Sequence, residues 1–157
     1  FIYFLIIIIT IFLFSLSLYT NKKDLSFWNN INNFYNCSEW IKNNVQKNAN
    51  IFIMTWSHFS PLFFYNHDQR YTLGLDEYRM YLYDKELYFK YVNVTEGVLK
   101  EPDKIKKIIK EDFNSSYIFF DDHDLIVIDN YFYNLVKKDD NFKKEYQDRY
   151  CSVYKVK

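Results

Sequence analysis

Four consecutive polar residues, Asp121-Asp122-His123-Asp124, follow directly on the apolar run Tyr117 to Phe120. Carboxylates beside an imidazole supply the donors that a divalent cation takes. Aspartates also close strands with polar turns, which is their commoner role. A second group, Trp56-Ser57-His58-Phe59-Ser60-Pro61, follows the apolar run Ile51 to Trp56. Ser57 next to His58 suggests a nucleophile with its base, but neighbours on an extended chain point to opposite faces. There is no Gly-x-Ser-x-Gly elbow either. Core packing of Trp56 and a loop histidine is the plainer reading. His67-Asp68-Gln69-Arg70 and Asp76-Glu77 flank a third run. Asp76 reads as the cap of a helical turn from Glu77 to Tyr81, with contact to sugar or phosphate as a lesser role.

The candidate ligand-contacting loops therefore comprise Trp56, Ser57, His58, Asp76, Glu77, Asp121, Asp122, His123 and Asp124. No residue is assigned a catalytic or metal-binding role, and no cofactor is expected. Two glycines cannot build a phosphate-cradling loop. Cys37 and Cys151 have no zinc-type spacing, and neither sits in a lipid-attachment motif.

The elements that must position these loops alternate. Asn36 reads as an N-cap with Glu39 completing a capping box, ahead of a helix from about Cys37 to Lys47 that buries Trp40, Ile41 and Val45. Ile51 to Trp56 is a short continuous apolar run, the mark of a strand buried on both faces. Ser60-Pro61 opens a short helix, and Arg70 to Leu75 reads as a second strand. Asp84 to Tyr91 is helical, ending near Gly97. From Pro102 to Phe113, Ile105, Ile108, Ile109 and Phe113 recur at helical spacing opposite four lysines. Tyr117 to Phe120 is a third strand. Leu125 to Ile128 is a strand or the approach to a helix near Tyr131 to Lys138, and Glu145 to Val156 closes as a bent strand or hairpin. This order predicts an α/β fold: a three-layer α/β sandwich with a mainly parallel sheet and an antiparallel C-terminal edge.

Residues 1–19 carry no charge, Pro or Gly, and as a helix would span roughly 28 Å, close to the bilayer hydrocarbon. The run exceeds a signal-peptide core and lacks a small-residue cleavage site, so a retained transmembrane helix is expected. The chain does not begin with Met, which suggests a cut or processing point. All 20 basic and 20 acidic residues follow Tyr19, and their balance gives no patch for nucleic acid. The 16 Tyr and 16 Phe follow in part from A/T-rich codon usage and do not by themselves imply an aromatic ligand surface. Lys22 and Lys23 favour a cytoplasmic domain by the positive-inside rule. Asn36-Cys37-Ser38, Asn93-Val94-Thr95 and Asn114-Ser115-Ser116 are glycosylation triplets that point outward. Cys37 and Cys151 fit one disulfide in an extracytosolic domain or, at least as well, two buried thiols. The division is a transmembrane helix at 1–19, a juxtamembrane helix or linker at 20–36, and a soluble α/β domain at 37–157.

The order of segments, with Trp40-Ile41, Trp56, Ser60-Pro61, Arg70 to Asp76, Met80 to Asp84, Ser116 to Asp121, Tyr146-Gln147-Asp148 and Tyr150 to Val156, resembles a known class. It is similar to the extracytosolic C-terminal domain of polytopic GT-C membrane glycosyltransferases, which use lipid-phosphate sugars and include the dolichyl-phosphate-mannose–protein mannosyltransferases. The tail Tyr146-x-Asp148-x-Tyr150…Val153-Tyr154-x-Val156 carries part of that likeness. The resemblance implies an extracytosolic location, against the Lys22-Lys23 hint, and a transferase core of earlier membrane spans that holds the catalytic carboxylate. No catalytic residue carries over to this chain. The leading expectation is a non-catalytic module that covers the active site or contacts a glycan, protein or lipid acceptor. The alternatives are a single-pass membrane-anchored binding or assembly module, and a membrane-tethered hydrolase using His58 and Asp121–Asp124. The expected partners are the lipid bilayer, the upstream transferase core and an acceptor, with no nucleic acid.

Overall fold

The computed structural model describes residues 9–19, 33–122 and 130–157. Two compact units emerge, Phe1–Asn32 and Asn33–Lys157. In the first, residues 9–19 are helical with their apolar side chains exposed, and the Ser15 hydroxyl donates to the Ile11 carbonyl at 2.8 Å. Among the described residues, no helix is long and apolar enough to cross a membrane.

The second unit is α/β. Helix α1 (Tyr35–Asn44) leads into strand β1 (Asn50–Ile53), and a 3-10 turn (Trp56–His58) runs into α2 (Phe59–Tyr65). Strand β2 (Arg70–Tyr71) is followed by α3 (Glu77–Tyr83), α4 (Lys85–Thr95) and α5 (Pro102–Lys107), which ends in a π turn (Ile108–Asp112). Then come β3 (Ser115–Asp121), α6 (Tyr131–Lys138), β4 (Phe142–Gln147) and β5 (Cys151–Val156). The strand order is β2-β1-β3-β5-β4. β1 pairs parallel with β2 and β3, and β5 pairs antiparallel with β3 and β4. The sheet is therefore evenly mixed, not mainly parallel: a chain that enters β5 from a tight hairpin must run antiparallel to β4.

Aromatic side chains fill both sides of the sheet. Phe52 of β1 meets Tyr91 of α4, Phe113 and Phe132 of α6 at ring separations of 5.3–6.0 Å. Phe120 of β3 meets Phe132, Tyr133 and Tyr154. From the opposite face Phe119 meets Phe34 and His58. Each fully buried Phe contributes about 2–3 kcal/mol by leaving water. On that same face Cys37 of α1 and Cys151 of β5, both fully buried, form a disulfide across a sequence separation of 114, with Cα atoms 6.5 Å apart.

Several expected boundaries shift. α1 starts before Asn36: its N-cap is Phe34, with no side-chain cap, so the Asn36–Glu39 capping box does not form. Phe34 is buried against Phe119 and His58, and this packing fixes the approach to the helix. Trp40 is only partly buried and stacks on Tyr146. Ser60 and Pro61 are the second and third residues of α2, since Thr55 starts the turn earlier; proline is tolerated there because first-turn N–H groups need no helical acceptor. β1 and β2 are shorter than the runs Ile51 to Trp56 and Arg70 to Leu75. The segment Leu125 to Ile128 lies outside the described residues.

Candidate functional site

The order β2-β1-β3 makes the carboxyl ends of β1 and β3 a topological switch point. From β1 the chain leaves through α2 to β2 on one side, and returns through α3–α5 to β3 on the other. Ligand crevices of open α/β sheets lie at such points.

At the β1 end, the Tyr91 hydroxyl donates to the carbonyls of Ile53, at 3.3 Å, and Met54. Thr55, in extended conformation, then caps the 3-10 turn: its Oγ1 accepts from the Ser57 N–H at 3.5 Å and lies 3.3 Å from the Ser57 hydroxyl. This turn rotates the side chains so that Trp56 and Ser57 face outward and His58 faces inward. Half of the plain reading is thus reversed, since the histidine and not the tryptophan enters the core. Trp56 stays 48 % exposed, because one tight turn cannot direct both residues inward.

The His58 ring sits edge-on between Phe34 at 5.6 Å and Phe119 at 5.5 Å. Neither ring nitrogen has a hydrogen-bond partner among the described residues. Its Nε2 is 3.8 Å from Asp121 Oδ2 at the end of β3. That gap is too long for a hydrogen bond, and burial pushes the imidazole down to about 4, so the His58 ring is neutral and the contact is not an ion pair. Ser57 Oγ is engaged with Thr55 and turned away from His58, so these two form no nucleophile–base pair.

Asp122, the next residue, faces the other way. Its Oδ1 accepts from the Tyr133 and Ser152 hydroxyls at 2.8 Å each, and its Oδ2 accepts from Gln147 Nε2 at 3.1 Å. Its own N–H donates to the Tyr150 carbonyl. This buried carboxylate joins β3, α6, β4 and β5, and holds the Tyr133 phenol well above its ordinary range, second to burial.

Asp76 caps α3, accepting from the Tyr78 N–H at 2.8 Å, as the sequence suggests. Glu77 reaches back to the backbone N–H of Trp56. Burial first, then the charges of Glu96 and Asp76, raise its carboxyl above the usual range, while that N–H pulls it down. The structure thus gathers Trp56, His58, Glu77 and Asp121 around the ends of β1 and β3. It leaves Asp76 to capping and Asp122 to the interior network. His123 and Asp124 lie outside the described residues.

Asp148, part of the tail likeness but not of the candidate site residues, is the further functional-looking residue. In the β4–β5 turn its Oδ1 accepts from the N–H groups of Tyr150 at 2.7 Å and Cys151 at 3.0 Å, and its Oδ2 accepts from the Tyr146 hydroxyl. The Tyr-x-Asp-x-Tyr spacing was the available signal. Among the described residues, Cys37, Asp148 and Cys151 form a group of metal-capable side chains. With the two sulfurs bonded to each other, no thiolate is present there to ligate. Comparison with known protein families, with curated proteins and with solved structures finds no match to this chain.

Proposed function

We propose that this chain is the extracytosolic end of a polytopic membrane glycosyltransferase that takes sugar from a lipid-phosphate donor. In this reading residues 1–19 are a membrane-spanning helix, the last of several, and residues 33–157 form a three-layer α/β module outside the cytosol. The module is non-catalytic. It covers the membrane-embedded active site or receives the acceptor at the loops that carry Trp56, His58, Glu77 and Asp121.

The observation that carries this reading is the Cys37–Cys151 disulfide. Disulfides persist on the oxidising side of membranes and are rare in reducing compartments. The bond joins the start of the domain to its last strand, so its two thiols could not serve as separate buried hydrophobes. The bond also weighs against the cytoplasmic orientation suggested by Lys22 and Lys23. The hydrolase alternative, which would use His58 and Asp121–Asp124, draws less support: His58 comes within 3.8 Å of Asp121, but its ring is buried and neither nitrogen makes a hydrogen bond among the described residues.

Two experiments test the reading. The reading frame upstream of Phe1 should encode further apolar spans with an acidic residue in the first external loop; a start codon immediately before Phe1 would favour the single-pass module instead. With the parent protein denatured so that buried thiols are reached, a thiol reagent should leave Cys37 and Cys151 unlabelled unless a reductant is added first. Labelling without reductant would place the domain in the cytosol.

A further inference from the structure

Helix α3 is the least explained element of the domain. Its sequence, Glu77 to Tyr83, contains Tyr78, Met80, Tyr81, Leu82 and Tyr83, yet none of its residues is buried. Tyr83 is 90 % exposed, Leu82 66 % and Tyr78 59 %, and Leu75 just before the helix is 61 % exposed. Met80 and Tyr81 are half-buried, but Tyr78, Leu82, Tyr83 and the preceding Leu75 form an exposed apolar cluster, and contiguous apolar patches on a surface mark interaction sites. Beside the helix runs an open groove of about 520 Å³, lined chiefly by Phe59, Leu73, Leu75, Met80, Tyr83 and Leu87.

We propose that α3 and this groove rest in the interfacial layer of a lipid bilayer. The inference rests on the reading above only in taking residues 1–19 as membrane-embedded, and two features point to lipid as the occupant. The first is reach. Residues 20–32 separate the uncharged run from the folded unit and can extend at most about 45 Å, so the domain is held beside the bilayer. The second is chemistry. Tyrosines present an apolar ring with a polar tip, the combination favoured at headgroup level, and the exposed Leu75 and Leu82 supply apolar depth beside them. The cations of this surface suit the same setting: Arg79 borders the groove, and Lys85 Nζ lies 5.1 Å from the Tyr81 ring. Long basic side chains of this kind lay their stems along apolar surface and keep their charge at the phosphates.

The test uses residues 1–157 reconstituted in phosphatidylcholine vesicles, with a benzophenone amino acid replacing Tyr83 or, separately, Leu82. A control carries the same probe in place of Lys144, an exposed residue on β4 at the far edge of the sheet. Irradiation should give lipid adducts at positions 82 and 83 several-fold above those at 144. Equal yields at all three positions, or adducts at 82 and 83 to protein alone, would overturn the proposal, the latter in favour of a second copy. In the parent protein, cross-links to upstream spans without lipid adducts would also overturn it. The thiol-labelling result is independent. Free thiols would defeat the extracytosolic reading and leave lipid adducts at 82 and 83 standing, because a bilayer has an interface on both sides.

Discussion

Breaking the Cys37–Cys151 bond should destabilise the domain more than any single core truncation. The bond closes a loop across 114 residues, and both half-cystines are fully buried. Removing that constraint frees the unfolded chain. Loop-closure entropy for a ring of this size corresponds to about 5 kcal/mol at 25 °C, and residual structure in the unfolded chain would lower the figure. That is the size of a small domain's whole stability. With a urea dependence of about 2 kcal/mol per molar, the unfolding midpoint should fall by roughly 2 M or more. The assay is urea unfolding in detergent, followed by near-ultraviolet circular dichroism. It would compare the oxidised chain with the chain after a phosphine reductant and with the Cys37→Ala/Cys151→Ala variant. The two perturbations should agree, because the small alanines leave the turn bonds of Asp148 to Tyr150 and Cys151 in place. Midpoints unchanged by both treatments would refute the reasoning.

Three further outcomes follow from individual residues. His58 has its ordinary value of 6.5 depressed to about 4 by burial, so the unfolded chain binds a proton that the folded chain refuses between those values. Its contribution is complete above pH 6.5 and is lost as pH falls toward 4, a decline of about 3 kcal/mol that His58→Leu should flatten in a pH series of unfolding curves. Asp122→Ala leaves the Tyr133, Ser152 and Gln147 donors without their acceptor and should cost about 3 kcal/mol, with Asp122→Asn between it and the wild type in thermal unfolding. Gly97 has a positive φ of 64°, and a Cβ there would lie 2.7 Å from that of Tyr131. Gly97→Ala should therefore lower stability by about 2 kcal/mol in the same assay.

What the sequence revealed and what it withheld divide along physical lines. α5 was legible because Ile105, Ile109 and Phe113 repeat at helical spacing and all three are buried. β1 and β3 were legible as continuous apolar runs, since strands in mid-sheet need no polar face. The closing hairpin of β4 and β5 was legible too, although β5 is buried on both faces from Cys151 through Tyr154 and so carries no alternation of core and solvent. The gathering of loops at one sheet edge could be foreseen from strand ends alone. Which side chain enters the crevice could not, because a single 3-10 turn reverses Trp56 and His58, and one step of strand separates the roles of Asp121 and Asp122. The pairing of Cys37 with Cys151 needed the third dimension, as did the exposure of Tyr78, Leu82 and Tyr83 on α3. Propensity can name a helix but not what covers it.

The position of β5 has a consequence for how the molecule is made. Although last among the strands in sequence, it lies inside the sheet, between β3 and β4. A chain synthesised from its N-terminus therefore presents β3 with one edge unpaired until residues 151–156 emerge, and such an edge invites pairing with other chains. Through the same interval Cys37 remains a thiol waiting for a partner more than a hundred residues away. Completion of the domain thus waits for β5, dependent on whatever shields that edge and thiol meanwhile. A nonsense codon shortly before residue 151 would not yield a slightly smaller domain. It would yield an open sheet in which Cys37 has lost its partner.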